Sequence, residues 1–434
     1  MSWPHFSRRA LPLVVIIASM TQLPPIAAQL PGFNYDEAQV PAYELPDPLI
    51  NAAGLPITNT TAWRTERRGE VLRLFEDHVY GRTPSAHIST RAEVLEVATD
   101  VLNGDATRQQ VRIHFEKGPH RAAMDILIYL PNAATEPVPL FVGLNFFGNH
   151  ATTTDPAVLL NENWMRPVDS AGIVDHRATE ASRGINAHRW PVEEIIARGY
   201  GVATIYCGDL DPDYDDGFQN GIHPLFYRDN QTQPDANEWA TIGAWAWGLS
   251  RALDYLETDA AIDSQRVAVI GHSRLGKAAL WAGANDERFA LVISNNSGCG
   301  GAALARRCFG ETVARINTSF PHWFSDSHQT YNDREADLPV DQHMLIALMA
   351  PRPVYIASAT EDLWADPRGE FLAGKHAAPV YALFGKAGLG VEAQPPPDQS
   401  VGDHIGYHRR TGKHDILAYD WQQYMDFADR HFGR

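Results

Sequence analysis

From Pro139 onward, short apolar segments alternate with amphipathic ones, and this alternation restricts the fold more than any other feature of the chain. Leu140–Leu144, Gly201–Tyr206, Arg266–Ile270, Ala290–Ser294 and Val354–Ala359 are apolar almost continuously, with a sixth such segment around Ile405–His408. A strand without a polar face must be covered on both sides, which is the condition of a mainly parallel sheet between helical layers. Helices are predicted near Val192–Arg198, Glu238–Glu257, Arg274–Ala284, Glu370–Phe384 and Ile416–Phe432. Ahead of them, a helix over Ala62–Val79 precedes strands at Ala92–Ala98, Gln109–Phe115 and Met124–Leu130, separated by turn signals that predict an antiparallel start. The expected architecture is α/β, a three-layer sandwich in one domain over residues 29–434, with residues 29–60 as an extended lead-in.

The net charge of −17 argues against nucleic acid as a partner, because phosphate binding needs a basic surface. Residues 1–28 carry Arg8 and Arg9, an apolar run from Leu11 to Met20 and a small-residue end at Ile26-Ala27-Ala28. That pattern is expected to be a cleaved secretory signal peptide, since about 10 apolar residues are too few to span a bilayer. The mature protein is therefore expected to be secreted or periplasmic, without a membrane partner. Three cysteines are too few for a disulfide scaffold; Cys299 and Cys308 are left either paired or free.

Val267-Ala268-Val269-Ile270-Gly271-His272-Ser273-Arg274-Leu275-Gly276 runs from a strand through G-x-S-x-x-G into a helix-forming stretch. A serine on a tight strand-to-helix turn is the nucleophile elbow of α/β-hydrolases, whose usual second glycine comes one residue earlier. Backbone N–H groups at the helix start can hold a developing oxyanion. Ser273 would also serve as a plain N-cap, but the flanking glycines would then lack a reason. A serine hydroxyl needs a histidine base, and His404, His408 and His414 lie in the late region where that base falls. Position favours His414, on the turn before the last helix, whereas His408 falls within a strand and is expected to pack. The acid belongs on a loop after an earlier strand; Asp362 has that place, with Glu361 and Asp366 as rivals. His322, His328 and His343 lack metal-ligand spacing, so no metal or other cofactor is expected.

Gly271–Lys277, Ser297-Gly298-Cys299-Gly300-Gly301-Ala302, Phe320–Phe324, Leu338–Met344 and Gly412-Lys413-His414-Asp415 together resemble bacterial glucuronoyl esterases, carbohydrate esterase family 15, over roughly residues 40–434. The resemblance implies an α/β-hydrolase that cleaves esters between (4-O-methyl-)glucuronic acid of xylan and lignin alcohols through an acyl-enzyme. It implies Ser273 as nucleophile, His414 as base, Arg274 as oxyanion support, and Lys277, Glu311 and Trp364 as sugar contacts. Many members place a triad glutamate where this chain has Asn296, an amide that cannot balance an imidazolium, so the acid role is expected to fall on Asp362. Glucuronoxylan and lignin–carbohydrate esters are the expected partners, and a monomer the expected state. A second reading is another carbohydrate serine esterase, such as an acetyl xylan esterase. A non-catalytic carbohydrate-binding protein is opposed by the presence of serine, acid and histidine in the required order.

Overall fold

The computed structural model describes Met1 and residues 29–434; apart from Met1, the predicted signal peptide lies outside the described residues. Nine strands form one sheet: β1 (Ser89–Val101), β2 (Ala106–Lys117), β3 (His120–Pro131), β4 (Val138–Asn145), β7 (Gly201–Tyr206), β8 (Ile262–His272), β9 (Leu291–Asn295), β10 (Val354–Ala359) and β11 (Ile405–Arg410). Two short strands, β5 (Ile173–Val174) and β6 (Arg177–Ala178), make a separate ribbon. The order is β1-β2-β3-β7-β4-β8-β9-β10-β11, antiparallel from β1 to β7 and parallel from β7 onward. The molecule thus has the expected α/β-hydrolase architecture, a mostly parallel sheet with an antiparallel N-terminal start.

Alternation along each strand divides the core into two layers. Leu140, Val142, Val267, Val269, Val292 and Ile356 point to one face, with residues from α2 (Arg68–Phe75), α4 (Thr241–Leu256), α5 (Arg274–Asn285), α8 (Gln342–Ala347) and α9 (Pro367–Leu383). Phe141, Ala268, Ile270, Leu291, Ile293 and Ala357 point to the other, under α3 (Val192–Ala197) and α10 (Ala418–Phe432). The helix predicted over Ala62–Val79 is a composite rod in which α1 (Thr60–Ala62) and α2 are joined and extended by the π-wound turns Trp63–Arg67 and Glu76–Tyr80. The long connection after β9 carries α6 (Val313–Ser319), α7 (Asp326–Gln329) and α8, none of which is announced by sequence periodicity. The cysteines are free thiols, so Cys299 and Cys308 are not paired.

A buried ionic cluster ties the last strand to the last helix. The Asp420 carboxylate on α10 lies 2.8 Å from His408 Nε2 and accepts from Arg410 Nε at 2.9 Å. The same guanidinium donates to the carbonyls of Thr411, Lys413 and Asp415, bracketing the turn that carries His414. His408 is consequently structural, and His404 sits at the opposite end of β11 beside Asp403. Replacing Asp420 by Ala would leave a buried cation without its partner, a change expected to cost about 3–5 kcal/mol. Denaturant unfolding should show the loss, and a midpoint equal to wild type would refute the assigned role of this cluster.

Candidate active site

Ser273 joins β8 to α5 with φ 57° and ψ −130°, a conformation that a side chain adopts only under constraint. The turn is closed by the Ser273 N–H donating to Asn295 O at 2.9 Å and by Gly276 N–H donating to Ser273 O at 2.9 Å. Gly271 is required here, because a Cβ at that position would lie 2.0 Å from Leu275 O. The turn therefore crowds backbone against backbone at Leu275, where the usual motif has its second glycine. Gly276 meets a looser limit, its added Cβ falling 3.0 Å from Gly271 O.

His414 Nδ1 lies 2.6 Å from Asp362 Oδ2, with the imidazole partly exposed and the carboxylate buried. Their loops are laced together, as Glu361 N–H donates to Gly412 O at 2.9 Å and Gly412 N–H to Thr360 Oγ1 at 3.0 Å. Asn296 donates its Nδ2 to the same Asp362 oxygen at 2.8 Å. Burial opposes the charge of Asp362, but the hydrogen bond and charge of His414, with help from Asn296, hold its carboxyl below the usual range. Of the rival acids, Asp366 is paired with Arg307 at 2.7 Å and caps α9, while Glu361 is exposed. His272 packs 4.6 Å from the His414 ring between centroids, and its burial pushes its own pKa well down, so this neighbour stays neutral.

Arg274 begins α5 with its guanidinium 4.5 Å above the Phe146 ring and its Nε 2.9 Å from Asp213 Oδ2. Asp213 follows β7 and is buried, and its other oxygen lies 3.1 Å from His322 Nε2 and accepts from Trp323 Nε1 at 2.8 Å. Burial disfavours that carboxylate, yet Arg274 and these donors hold its pKa below the usual range. Asp213 and Phe146 are members of the candidate site that sequence reasoning missed. Their only signal is position, each following the end of a parallel strand.

Lys277, one turn along α5 from Ser273, is buried, and its Nζ donates to Ser297 O and Cys299 O, each at 2.5 Å. Burial lowers its pKa, opposed by the nearby Glu311 charge. Glu311 is raised by burial, with Lys277 and the Trp364 indole pulling the other way, and its N–H donates to Trp364 O at 3.0 Å. Lys277, Glu311 and Trp364 thus gather on one side of the serine. The lead-in closes that side, with Phe33 edge-on to Trp364 at 5.0 Å and Asn34 O accepting from Gly310 N–H at 2.8 Å.

Chemically, the constellation holds a serine at a helix start, an imidazole oriented by a carboxylate, and a fixed cation beside the serine. Those are the parts of a nucleophile, its base and an oxyanion stabiliser. Among the described residues, no group of three or more His, Cys, Asp and Glu side chains could hold a metal ion.

The family model for fungal glucuronyl esterases matches residues 217–385. The chain is 54% identical over 432 residues to carbohydrate esterase MZ0003 of an unknown prokaryotic organism, covering 98% of both chains. A promiscuous CE15 esterase from the marine bacterial metagenome has a similar structure, at TM-score 0.87 and 55% identity, over 92% of this chain and 100% of that one. The glucuronoyl esterase from Solibacter usitatus gives TM-score 0.86 and 49% identity, over 91% and 100%.

Two outcomes test this geometry. Asp213→Asn removes the charge that orients Arg274 while keeping the side-chain shape, so kcat for ester hydrolysis should fall roughly 10- to 100-fold with KM little changed. A wild-type kcat would separate Asp213 from the reaction. Glu370, buried under the site, accepts from Ser358 Oγ at 2.6 Å and Gly298 N–H at 3.0 Å, and burial pushes its carboxyl up to about 8. The folded state then keeps a proton that the unfolded chain has lost between about pH 4.5 and 8, so stability falls as pH rises through that window. Glu370→Gln lacks this dependence, and its stability relative to wild type should rise across the window in denaturant titrations. A constant difference would contradict the assignment.

Proposed function

Because the chain belongs to carbohydrate esterase family 15, the glucuronoyl esterases, and is a carboxylic ester hydrolase, we propose that Ser273, His414 and Asp362 carry its cleavage of glucuronate esters. The observation that supports this most is the buried Asp362 set 2.6 Å from His414 Nδ1. That contact directs the Nδ1–H to the carboxylate and leaves Nε2 to act on the serine.

Ser273 Oγ attacks the uronate carbonyl while His414 takes its proton. The oxyanion is held by the Arg274 backbone N–H, free of an intrahelical partner at the start of α5, and by the guanidinium that Asp213 and Phe146 fix in place. His414 then returns the proton to the departing alcohol, giving an acyl-enzyme. Water activated by the same imidazole attacks the acyl carbon and releases the uronate. Throughout, Asp362 stays charged, because its lowered pKa keeps it ionised wherever the imidazole works, and it balances each transient imidazolium. Asn296 supports this role by donating to the carboxylate rather than substituting for it. Lys277, Glu311 and Trp364 supply one cation, one anion and one aromatic surface to the hydroxyls and ring of the uronate.

The physiological ester is assigned to glucuronate branches of xylan joined to lignin alcohols, cleaved by a secreted or periplasmic monomer. Turnover of benzyl glucuronate, absent in Ser273→Ala, is the direct test; hydrolysis of acetylated xylo-oligosaccharides in its place would favour an acetyl esterase. Asp362→Asn should lower kcat by roughly 10³- to 10⁴-fold, as in other triads. Retained turnover in that variant would move the acid elsewhere.

A further inference from the structure

A second concavity lies beside the site, between the loop around Asn161–Arg166 and the one around Gly208–Gly221. Its volume is about 780 Å³, within the range of small-molecule sites. One wall is an aromatic tier in which Trp164 stacks on His176 at 5.1 Å and contacts Tyr214 at 4.3 Å. The floor is fixed by buried Asp209, whose carboxylate accepts from Asn161 and Asn163 at 2.8 and 2.7 Å and from Asp125 N–H at 3.1 Å.

Three arginines, Arg112, Arg121 and Arg177, line the same space in a chain whose net charge is −17. Arg112 is neutralised by a two-pronged pair with Asp125, both contacts 2.7 Å. Arg121 is exposed, with Nε 3.2 Å from Glu116 and Nη1 donating to Gly118 O at 2.7 Å and His120 O at 2.8 Å, which leaves its Nη2; exposed Arg177 donates only its Nη1, to Glu162 O at 2.8 Å. Both retain N–H groups for a ligand. Asp125, Asp209 and Glu162 are the carboxyl groups of the same lining, and Glu116 lies beside Arg121.

Planar aromatic surface beside amides and guanidinium groups suits a pyranose, whose C–H face is apolar and whose edge carries hydroxyls. The cavity is also joined to the reacting centre. Pro212 lines it, and the next residue, Asp213, holds Arg274; Arg166, two residues after Trp164, donates to Asp213 O at 3.3 Å.

We propose that this cavity is a second saccharide subsite, taking an acidic sugar unit of the polymer whose ester is cleaved, with its ring against the Trp164–Tyr214 wall and its carboxylate between Arg121 and Arg177. The assignment rests on the glucuronate-ester reading for the identity of that polymer, while the binding itself is independent of turnover.

The test uses the full enzyme, the Arg121→Ala/Arg177→Ala double variant and a Tyr214→Ala variant. De-esterified xylo-oligosaccharides with glucuronate branches are titrated by calorimetry into each protein after its Ser273 has been capped with a fluorophosphonate, which blocks the first site and leaves the second free. Wild type should bind, both variants should bind about tenfold more weakly or not at all, and unbranched xylo-oligosaccharides should bind about tenfold more weakly to wild type. In parallel, kcat/KM on benzyl glucuronate should stay within about twofold of wild type in the double variant, showing an intact fold and first site. Equal binding by wild type and the double variant, or equal binding of branched and unbranched chains, overturns the subsite. Failure of wild type to turn over benzyl glucuronate overturns the esterase reading instead, and leaves the calorimetric result to decide the subsite alone.

Discussion

The strained backbone at Ser273 is the constraint on which the rest of the structure depends. A non-glycine residue at φ 57° and ψ −130° costs on the order of 1–3 kcal/mol and persists only if its surroundings allow no alternative. Those surroundings are β8 and α5, held by the sheet on one side and by the apolar contacts of Leu275, Ala278, Ala279 and Trp281 on the other. Relaxing the turn would mean pulling that packed helix off the sheet. The side chain is therefore presented at the strand end at the expense of the core and not by local hydrogen bonds alone.

The second organising theme is how charge is kept in a buried place. Asp362 and Asp213 are both buried carboxylates, and each remains ionised because several donors converge on it. Glu370, equally buried but facing only uncharged donors, two hydroxyls and one backbone N–H, together with two neighbouring acids, is pushed the other way. Burial is common to all three, so the donors around each one decide which carboxylate is available as a charge.

Much of the scaffold was legible because parallel strands covered on both faces must be apolar on consecutive residues. Gly201–Tyr206 and Val354–Ala359 run over the same residues that their apolar pattern indicates. The edge strand β1 was harder to bound, extending to Ser89 and Val101 beyond its patterned middle, because most of it is exposed and burial leaves little mark on its sequence. Ser273, Asp362 and His414 were legible from strand-end position, which topology makes meaningful. Asp213, His322, Phe146 and Arg410 were not, since each contacts a partner 10 or more residues away in the sequence or across a ring face. The helices after β9 escaped notice for a related reason: they are short turns shaped by neighbours such as the Glu335 carboxylate, which accepts from Val313 N–H.

Asp213 draws together Arg166, Arg274, His322 and Trp323 from three separate stretches of chain. In evolutionary terms this makes the cluster around Asp213 epistatic. An exchange at any one of these positions changes what the others can tolerate, so variation there should arise as matched sets, while the open loops around them drift residue by residue. Diversification within such a family would then proceed by altering the surrounding walls and leaving the hub unchanged.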